Sequence, residues 1–254
     1  MAAAVAAEPR RPDTPFWAEP RSIEGDRLTL SREESHHLTH VYRASPGTRF
    51  EAIDGEGVLY ECVLESIAGR AAVARILERS YETGELDATI HLLVGIPDWG
   101  GIEAVVTHAV PLGVHSLDFV ACERSGRGPL SPERLGRLRR LARAGLKQSR
   151  RTRLPEIRST ASLGSSVGGL PKQGARCFGD PAGGLWRDPV AAQRIVSLAV
   201  GPPGGYSDAE RRLLLESGFI PISLGDNRLT TETASLALLC VARNSLGTKR
   251  LIES

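Results

Sequence analysis

Residues 195–244 read IVSLAVGPPGGYSDAERRLLLESGFIPISLGDNRLTTETASLALLCVARN. Ile195 to Val200 is a short apolar, β-branched run, the pattern of a buried strand. It stops at Gly201-Pro202-Pro203-Gly204-Gly205, which neither a helix nor a strand continues through. Ser207 stands three residues before Glu210, the spacing of a capping box, so a helix opens there and ends near Gly218. Phe219 to Leu224 reads as a second short strand closed by Gly225. The polar loop Asp226 to Thr231 then leads into an apolar helix from about Glu232 to Asn244. Strands that end in glycine loops before helices place a ligand site at the carboxyl edge of a parallel sheet. Glycine loops also serve as plain strand-to-helix connections, so the loop alone does not decide for a ligand.

The 254 residues are 41% hydrophobic and 24% charged, with a formal net charge of +2, too small to imply a partner by itself. Four cysteines lie far apart with no paired spacing, which predicts neither a disulfide framework nor a zinc site and fits a reducing, cytoplasmic setting. No apolar run reaches the length of a membrane span. Met1 to Ala7 is followed, not preceded, by arginines, the reverse of a signal peptide.

Residues 1–20, rich in Ala, Pro and Arg, read as a flexible tail or a partly docked strand, with Phe16 and Trp17 as anchors. Residues 21–84 read as a small β-barrel domain. Ser31 to Glu34 forms a capping box before a short helix through Arg43. Strands at 50–53, 58–67 and 71–77 are joined by Asp54-Gly55 and Ala68-Gly69 turns. His36, His37 and His40 lack a carboxylate or Cys partner at fitting spacing, so no metal site is expected. A linker near 81–87 leads to the second domain, residues 88–254. It opens with strand 88–96, the loop Pro97 to Gly101, a helix from Ile102 to about Pro111 and strand 116–121, a strand-helix-strand order that favours a mostly parallel sheet. Residues 154–173 read as a connector, and 175–178 as a short strand.

Residues 134–153 hold nine Lys or Arg and no acid. At helical spacing Leu135, Leu138, Ala142, Gly145 and Leu146 share one face, and Arg137, Arg140, Arg143, Lys147 and Arg151 the other. One-signed faces of this kind suit phosphates better than plain solvation, which usually mixes signs.

Four motifs in order give the chain a resemblance. His37-Leu38-Thr39-His40-Val41-Tyr42-Arg43, Gln148-Ser149-Arg150-Arg151 with Pro155, GPPGGYSDAE and LGDNRLTTETA resemble the signatures of the RsmE family, the 16S ribosomal RNA uracil-N3 methyltransferases. Together they cover nearly everything from Arg27 onward. The resemblance implies an α/β fold class: a C-terminal SPOUT trefoil-knot methyltransferase domain behind an N-terminal PUA-like β-barrel. It also implies a homodimer, ribosomal RNA of the small subunit as partner, and S-adenosyl-L-methionine as cofactor. The cofactor would sit in three loops, about Phe178 to Pro181, Gly201 to Gly205 and Ile222 to Leu229, with Phe178, Gly179, Gly201, Pro203, Gly204, Gly205, Ile222, Leu224, Gly225, Leu229 and Thr233 as its contacts. Arg228, Thr231 and Glu232 would carry catalysis. Arg43, Arg137, Arg140, Lys147, Arg150 and Arg151 would meet RNA.

Several positions depart from the family pattern. His108 stands at the position of a lysine, and Pro111 interrupts the helix end. Pro203 replaces the glutamate of GPEGG. Asn227 and Thr230 replace two arginines, while Arg228 occupies the intervening apolar position. Arg228 either serves the missing guanidinium role from a shifted register or is a surface arginine. Three functions therefore compete: a ribosomal RNA uridine methyltransferase; a divergent paralogue that binds RNA but modifies another nucleotide or none; and a nucleotide-binding enzyme unrelated to RNA. The last lacks a G-x-G-x-x-G or Walker loop and leaves the basic helix without a purpose.

Overall fold

The structure is a computed structural model that describes residues 12–246. The chain divides into two units: the residues up to Glu85 together with Leu146–Leu154, and Leu86–Gly145 together with Pro155 onward.

The first unit is a curled sheet of β1 (Phe16–Trp17), β2 (Ile23–Glu24), β3 (Arg27–Thr29), β4 (Arg49–Ile53), β5 (Val58–Ala68) and β6 (Ala71–Tyr81). The strands lie in the order β1-β4-β5-β6-β3-β2, antiparallel except for β1 against β4. Of the two readings of residues 1–20, the flexible tail is corrected for the described part and the docked strand anchored by Phe16 and Trp17 holds. Phe16 packs edge-on against Phe50 and Tyr42, and Ala18 is fully buried, so this segment completes the sheet. Residues 1–11 lie outside the described residues. Helix α1 (Arg32–His36) is capped by Ser31, whose hydroxyl accepts from the Glu34 N–H. The reciprocal half of the expected capping box does not form, because the Glu34 carboxylate is taken by Lys147. A wider turn continues α1 through Val41, and His37 packs its ring against Phe16 and Tyr42.

The second unit is built on a six-stranded sheet in the order β12-β10-β11-β7-β8-β9, every pair parallel. Its elements are β7 (Thr89–Gly95), α2 (Trp99–Ala109), β8 (Ser116–Val120), α3 (Pro132–Ser149), β9 (Glu156–Thr160), α4 (Leu163–Gly168), β10 (Ala175–Gly184), β11 (Ile195–Val200), α5 (Asp208–Glu216), β12 (Ile220–Ile222) and α6 (Thr231–Ser245). The central strands β8 and β11 are buried almost end to end, as in a sheet covered on both faces, and carry Ser116, Asp118 and Ser197 among their apolar residues.

Two expectations for this unit are corrected. Residues 97–101 are not all loop: Asp98 accepts from the Gly101 N–H and α2 starts at Trp99. Residues 154–173 are not a connector. They form β9, held by Thr160 and Asp118, and α4, whose Ser166 hydroxyl donates to the same buried Asp118. The pair signal is side-chain chemistry across strands, which periodicity does not reveal. The division of the chain also differs from a simple boundary near 84–88, because 146–154 groups with the N-terminal unit.

Candidate functional site

All six parallel strands end on one edge, and three of those ends build a cleft of about 650 Å³. Phe178, Gly179, Asp180 and Pro181 leave β10; Val200 to Tyr206 leave β11; Ile222 and Leu224 to Leu229 leave β12. Thr231 and Ala234 of α6 and Arg211 of α5 complete the wall.

The glycine loop is fixed from several sides. The Thr231 hydroxyl donates to the Gly201 carbonyl at 3.0 Å. The Gly205 N–H closes a turn onto the Pro202 carbonyl at 2.8 Å, with Gly205 at φ +71. Gly95 lets β7 run against this loop, since a Cβ there would stand 2.3 Å from the Pro202 nitrogen. The Glu210 carboxylate accepts from the Ser207 N–H at 2.9 Å, which completes the capping box of α5, and from the Glu123 N–H at 2.9 Å. One acid thus ties the loop after β8 to the start of α5.

The polar groups in the cleft are few. Asp180 is buried, accepts from the Ala182 N–H and is ion-paired with Arg211. Arg228 donates to the Pro203 carbonyl at 3.2 Å and is exposed. The Tyr206 hydroxyl is sealed from water and has no hydrogen-bond partner among the described residues. Burial, with Cys122 and Glu210 adding to it, holds that phenol well above its ordinary pKa, so it stays a neutral donor. The hydroxyl is sealed on the side of Cys122 and Glu210, so the ring rather than the hydroxyl reaches the cleft.

Among the residues named from the sequence, Phe178, Gly179, Gly201, Pro203, Gly204, Gly205, Ile222, Leu224, Gly225, Arg228, Leu229 and Thr231 all line this cleft. Thr233 and Glu232 do not. Thr233 serves the N-cap of α6, its N–H and hydroxyl both meeting the Thr230 hydroxyl. Glu232 lies against α2, so close that a Cβ on Gly101 would stand 3.1 Å from its Oε2. Asp180 falls within the loop expected from the sequence, whereas Tyr206 and Arg211 were not named from it. Asp180 and Arg211 lie far apart in the chain, and only the meeting of β10 with α5 pairs them.

The RNA methyltransferase domain family matches residues 84–243, well over half of the chain, and the RNA methyltransferase PUA domain matches residues 30–77. The chain belongs to the RNA methyltransferase domain family. A Synechocystis relative named Ribosomal RNA small subunit methyltransferase E is 28% identical over 87% of this chain and 74% of its own length. A putative methyltransferase from Legionella pneumophila, solved with bound SAM, is 27% identical with a TM-score of 0.78, covering 92% of this chain and 97% of that one. A probable rRNA-methyltransferase from Porphyromonas gingivalis is 25% identical with a TM-score of 0.81, covering 91% and 98%. The fold is therefore that of a SPOUT-type RNA methyltransferase domain with a PUA domain before it.

For an RNA methyltransferase domain the basic run matters, and its cations fall into two sets. Leu138, Ala142 and Leu146 are fully buried, as the spacing predicts. The cations beyond Gly145, however, are already engaged within the N-terminal unit. Lys147 meets Glu34 at 2.7 Å, and Arg150 meets Glu51. Arg151, with its side chain 4% exposed, meets Glu85 at 2.7 Å, and Glu85 also accepts from the Thr152 and Arg153 N–H groups. These groups hold structure together. Arg137 and Arg140 stand on the exposed side of α3, with Arg137 paired to Glu103 at 2.6 Å. Arg43 is exposed, in the left-handed region at φ 55.

Proposed function

We propose that this protein is an S-adenosylmethionine-dependent methyltransferase that acts on N3 of a uridine in small-subunit ribosomal RNA. The observation that carries the reading is the cleft itself: three loops of an RNA methyltransferase domain converge with glycines, apolar walls and one ion pair. The residues fit the cofactor's chemistry. Val200, Ile222, Leu224 and Leu229 offer apolar surface to an adenine, and loop backbone groups offer hydrogen bonds to it. Arg211 and Asp180 match in sign a carboxylate and an ammonium. The cofactor supplies a methyl group on a sulfonium, so its departure needs no protonation.

N3 of uracil lies on the pairing edge and carries a proton. The target must be unpaired, and that proton must leave as the nitrogen attacks. Negative charge then grows on the two flanking carbonyls. Arg228, held at the rim by the Pro203 carbonyl, is the guanidinium placed to stabilise it. Asp226, on the same loop, is a lining carboxylate with no ion partner among the described residues, and it is the candidate to receive the proton. Thr231 acts through the glycine loop rather than on the substrate. Arg137 and Arg140, with Arg43 on the PUA domain, are the remaining cations offered to RNA phosphates.

The trefoil knot and a homodimer extend the same reading. Leu236, Ala237 and Val241 of α6 are only partly covered, which a second copy of this chain would complete. A ribosomal RNA substrate supports a cytoplasmic location. The test is primer extension on small-subunit RNA from a deletion strain, with labelled cofactor added to that RNA and the purified protein. Methylation restores a stop at one uridine. An unchanged stop pattern and no incorporated label would remove the activity and favour the paralogue that binds RNA without methylating this base.

A further inference from the structure

Trp99 opens α2, next to its cap Asp98, and is half-buried. The guanidinium of Arg134 lies 5.2 Å from the centroid of its ring and that of Arg137 lies 5.6 Å away. The two arginines are three residues apart on α3, so they reach the same neighbourhood. Arg137 is shared with Glu103, whereas Arg134 has no ion partner among the described residues. Gly100 and Gly101 follow the ring, so no side chain from the next two positions crowds it. Neither hydrophobic packing nor charge pairing explains the set: the ring is not sealed, and the cations outnumber the acid.

The location is specific. β7 runs beside β11, and its carboxyl end leads through Asp98 into α2, so Trp99 stands on the same sheet edge as the cleft. A Cβ on Gly101 would stand 3.1 Å from the Glu232 carboxylate, and the residue before Glu232, Thr231, lines the cleft. A half-exposed indole with guanidiniums over it is a layered, cationic π surface, and it matches one ligand chemistry well: an unpaired base that stacks on the ring or on a guanidinium plane, with its phosphates near the cations.

We infer that Trp99, Arg134 and Arg137 form a stacking platform for an unpaired base of the RNA substrate, adjacent to the nucleotide that enters the cleft. This rests on the RNA-methylating reading. Trp99 is a positioning residue that holds the strand, and it takes no part in the methyl transfer.

The test uses the full chain and a labelled, uridine-rich single-stranded RNA dodecamer. Trp99→Ala should weaken RNA binding roughly 5- to 150-fold, the range for one base stacked on one ring. Trp99→Phe should restore most of it, and cofactor affinity should be the same in all three proteins. Arg134→Gln should lower the salt slope of binding by about one. With ribosomal RNA, Trp99→Ala should raise KM more than it lowers kcat. RNA affinity equal to the native protein's in both Trp99 variants overturns the platform. If Trp99→Ala does not fold, Trp186→Phe protein gives the second measurement. RNA must quench the emission that acrylamide reaches; unchanged quenching overturns the inference equally. Native protein that binds RNA through Trp99 yet methylates nothing supports the platform and overturns the activity, so the two failures are distinct.

Discussion

Thr231→Val isolates what the contact between α6 and the glycine loop does. Valine matches threonine in shape and in helix propensity, so the substitution removes one hydroxyl and little else. The lost bond is the 3.0 Å donation to the Gly201 carbonyl from a side chain of a residue that is 4% exposed. A neutral bond of this kind contributes about 0.5–1.5 kcal/mol net. That bond exists with or without ligand, so its loss lowers stability directly. It lowers cofactor affinity only through the fraction of molecules whose loop keeps the binding geometry. The largest effect on Kd is then about tenfold, the whole bond expressed as loop population. Calorimetry with S-adenosylmethionine on the native protein, Thr231→Val and Thr231→Ser separates the roles. The serine variant keeps the hydroxyl and should bind like the native protein, whereas valine should raise Kd several-fold and lower kcat in no greater proportion. A valine variant with native stability and native Kd would refute the loop-bracing argument. A kcat loss of a hundredfold with native Kd would make Thr231 catalytic instead.

Arg228→Ala should cut turnover well below that of the native protein while leaving cofactor affinity within a few-fold, because its anchor is a loop carbonyl at the rim; steady-state kinetics with equal turnover would defeat it. Arg151→Met should destabilise by about 3 kcal/mol, since it strands the buried Glu85 carboxylate with only backbone N–H partners. Arg153→Ala, which breaks the half-exposed pair with Glu82, should cost less than about 1 kcal/mol in the same denaturant titration. His91 is pushed down to about 4 by burial, with His115 and Arg158 adding to it. Its folded state therefore stays neutral while the unfolded chain takes up a proton, so stability is full above the ordinary histidine range and falls as pH drops from about 6.5 towards 4. His91→Gln should flatten that fall in thermal melts across the same window.

Much of the second unit was legible because its signals are local. The β-branched run ending in GPPGG gave β11 from Ile195 to Val200, and Ser207 with Glu210 gave the capping box. α3 followed from one apolar stripe. What escaped the sequence depends on partners distant in the chain. β9 and α4 are held by Asp118, a buried carboxylate that a reader of residues 154–173 has no reason to consult. Phe16 looked like a tail anchor until β4 offered it an edge to join. Tyr206 and the Asp180–Arg211 pair belong to the cleft only because three strand ends meet there. Twelve of the lining residues were read from glycine loops and resemblance, while Thr233 and Glu232 lie outside the lining for a plain geometric reason: consecutive residues on a helix face different neighbours.

The basic run shows why a charge count does not locate a binding face. Residues 134–153 carry no acid, and helical spacing draws their cations as one stripe. Yet the acids that answer Lys147, Arg150, Arg151 and Arg153 come from Glu34, Glu51, Glu85 and Glu82, all in the first third of the sequence. A near-neutral chain can place its negative charges there because folding, not sequence distance, sets which ions meet. The RNA contacts proposed above then fall on the amino-terminal half of α3, where Arg134 and Arg137 stand over Trp99 and Arg140 is exposed. Charge reversal separates the halves. Arg140→Glu should weaken RNA binding without lowering the melting temperature, whereas Lys147→Glu should lower the melting temperature by placing like charges against Glu34. Equal effects from both substitutions on RNA binding, with native stability in each, would return the whole stripe to the RNA and undo this division.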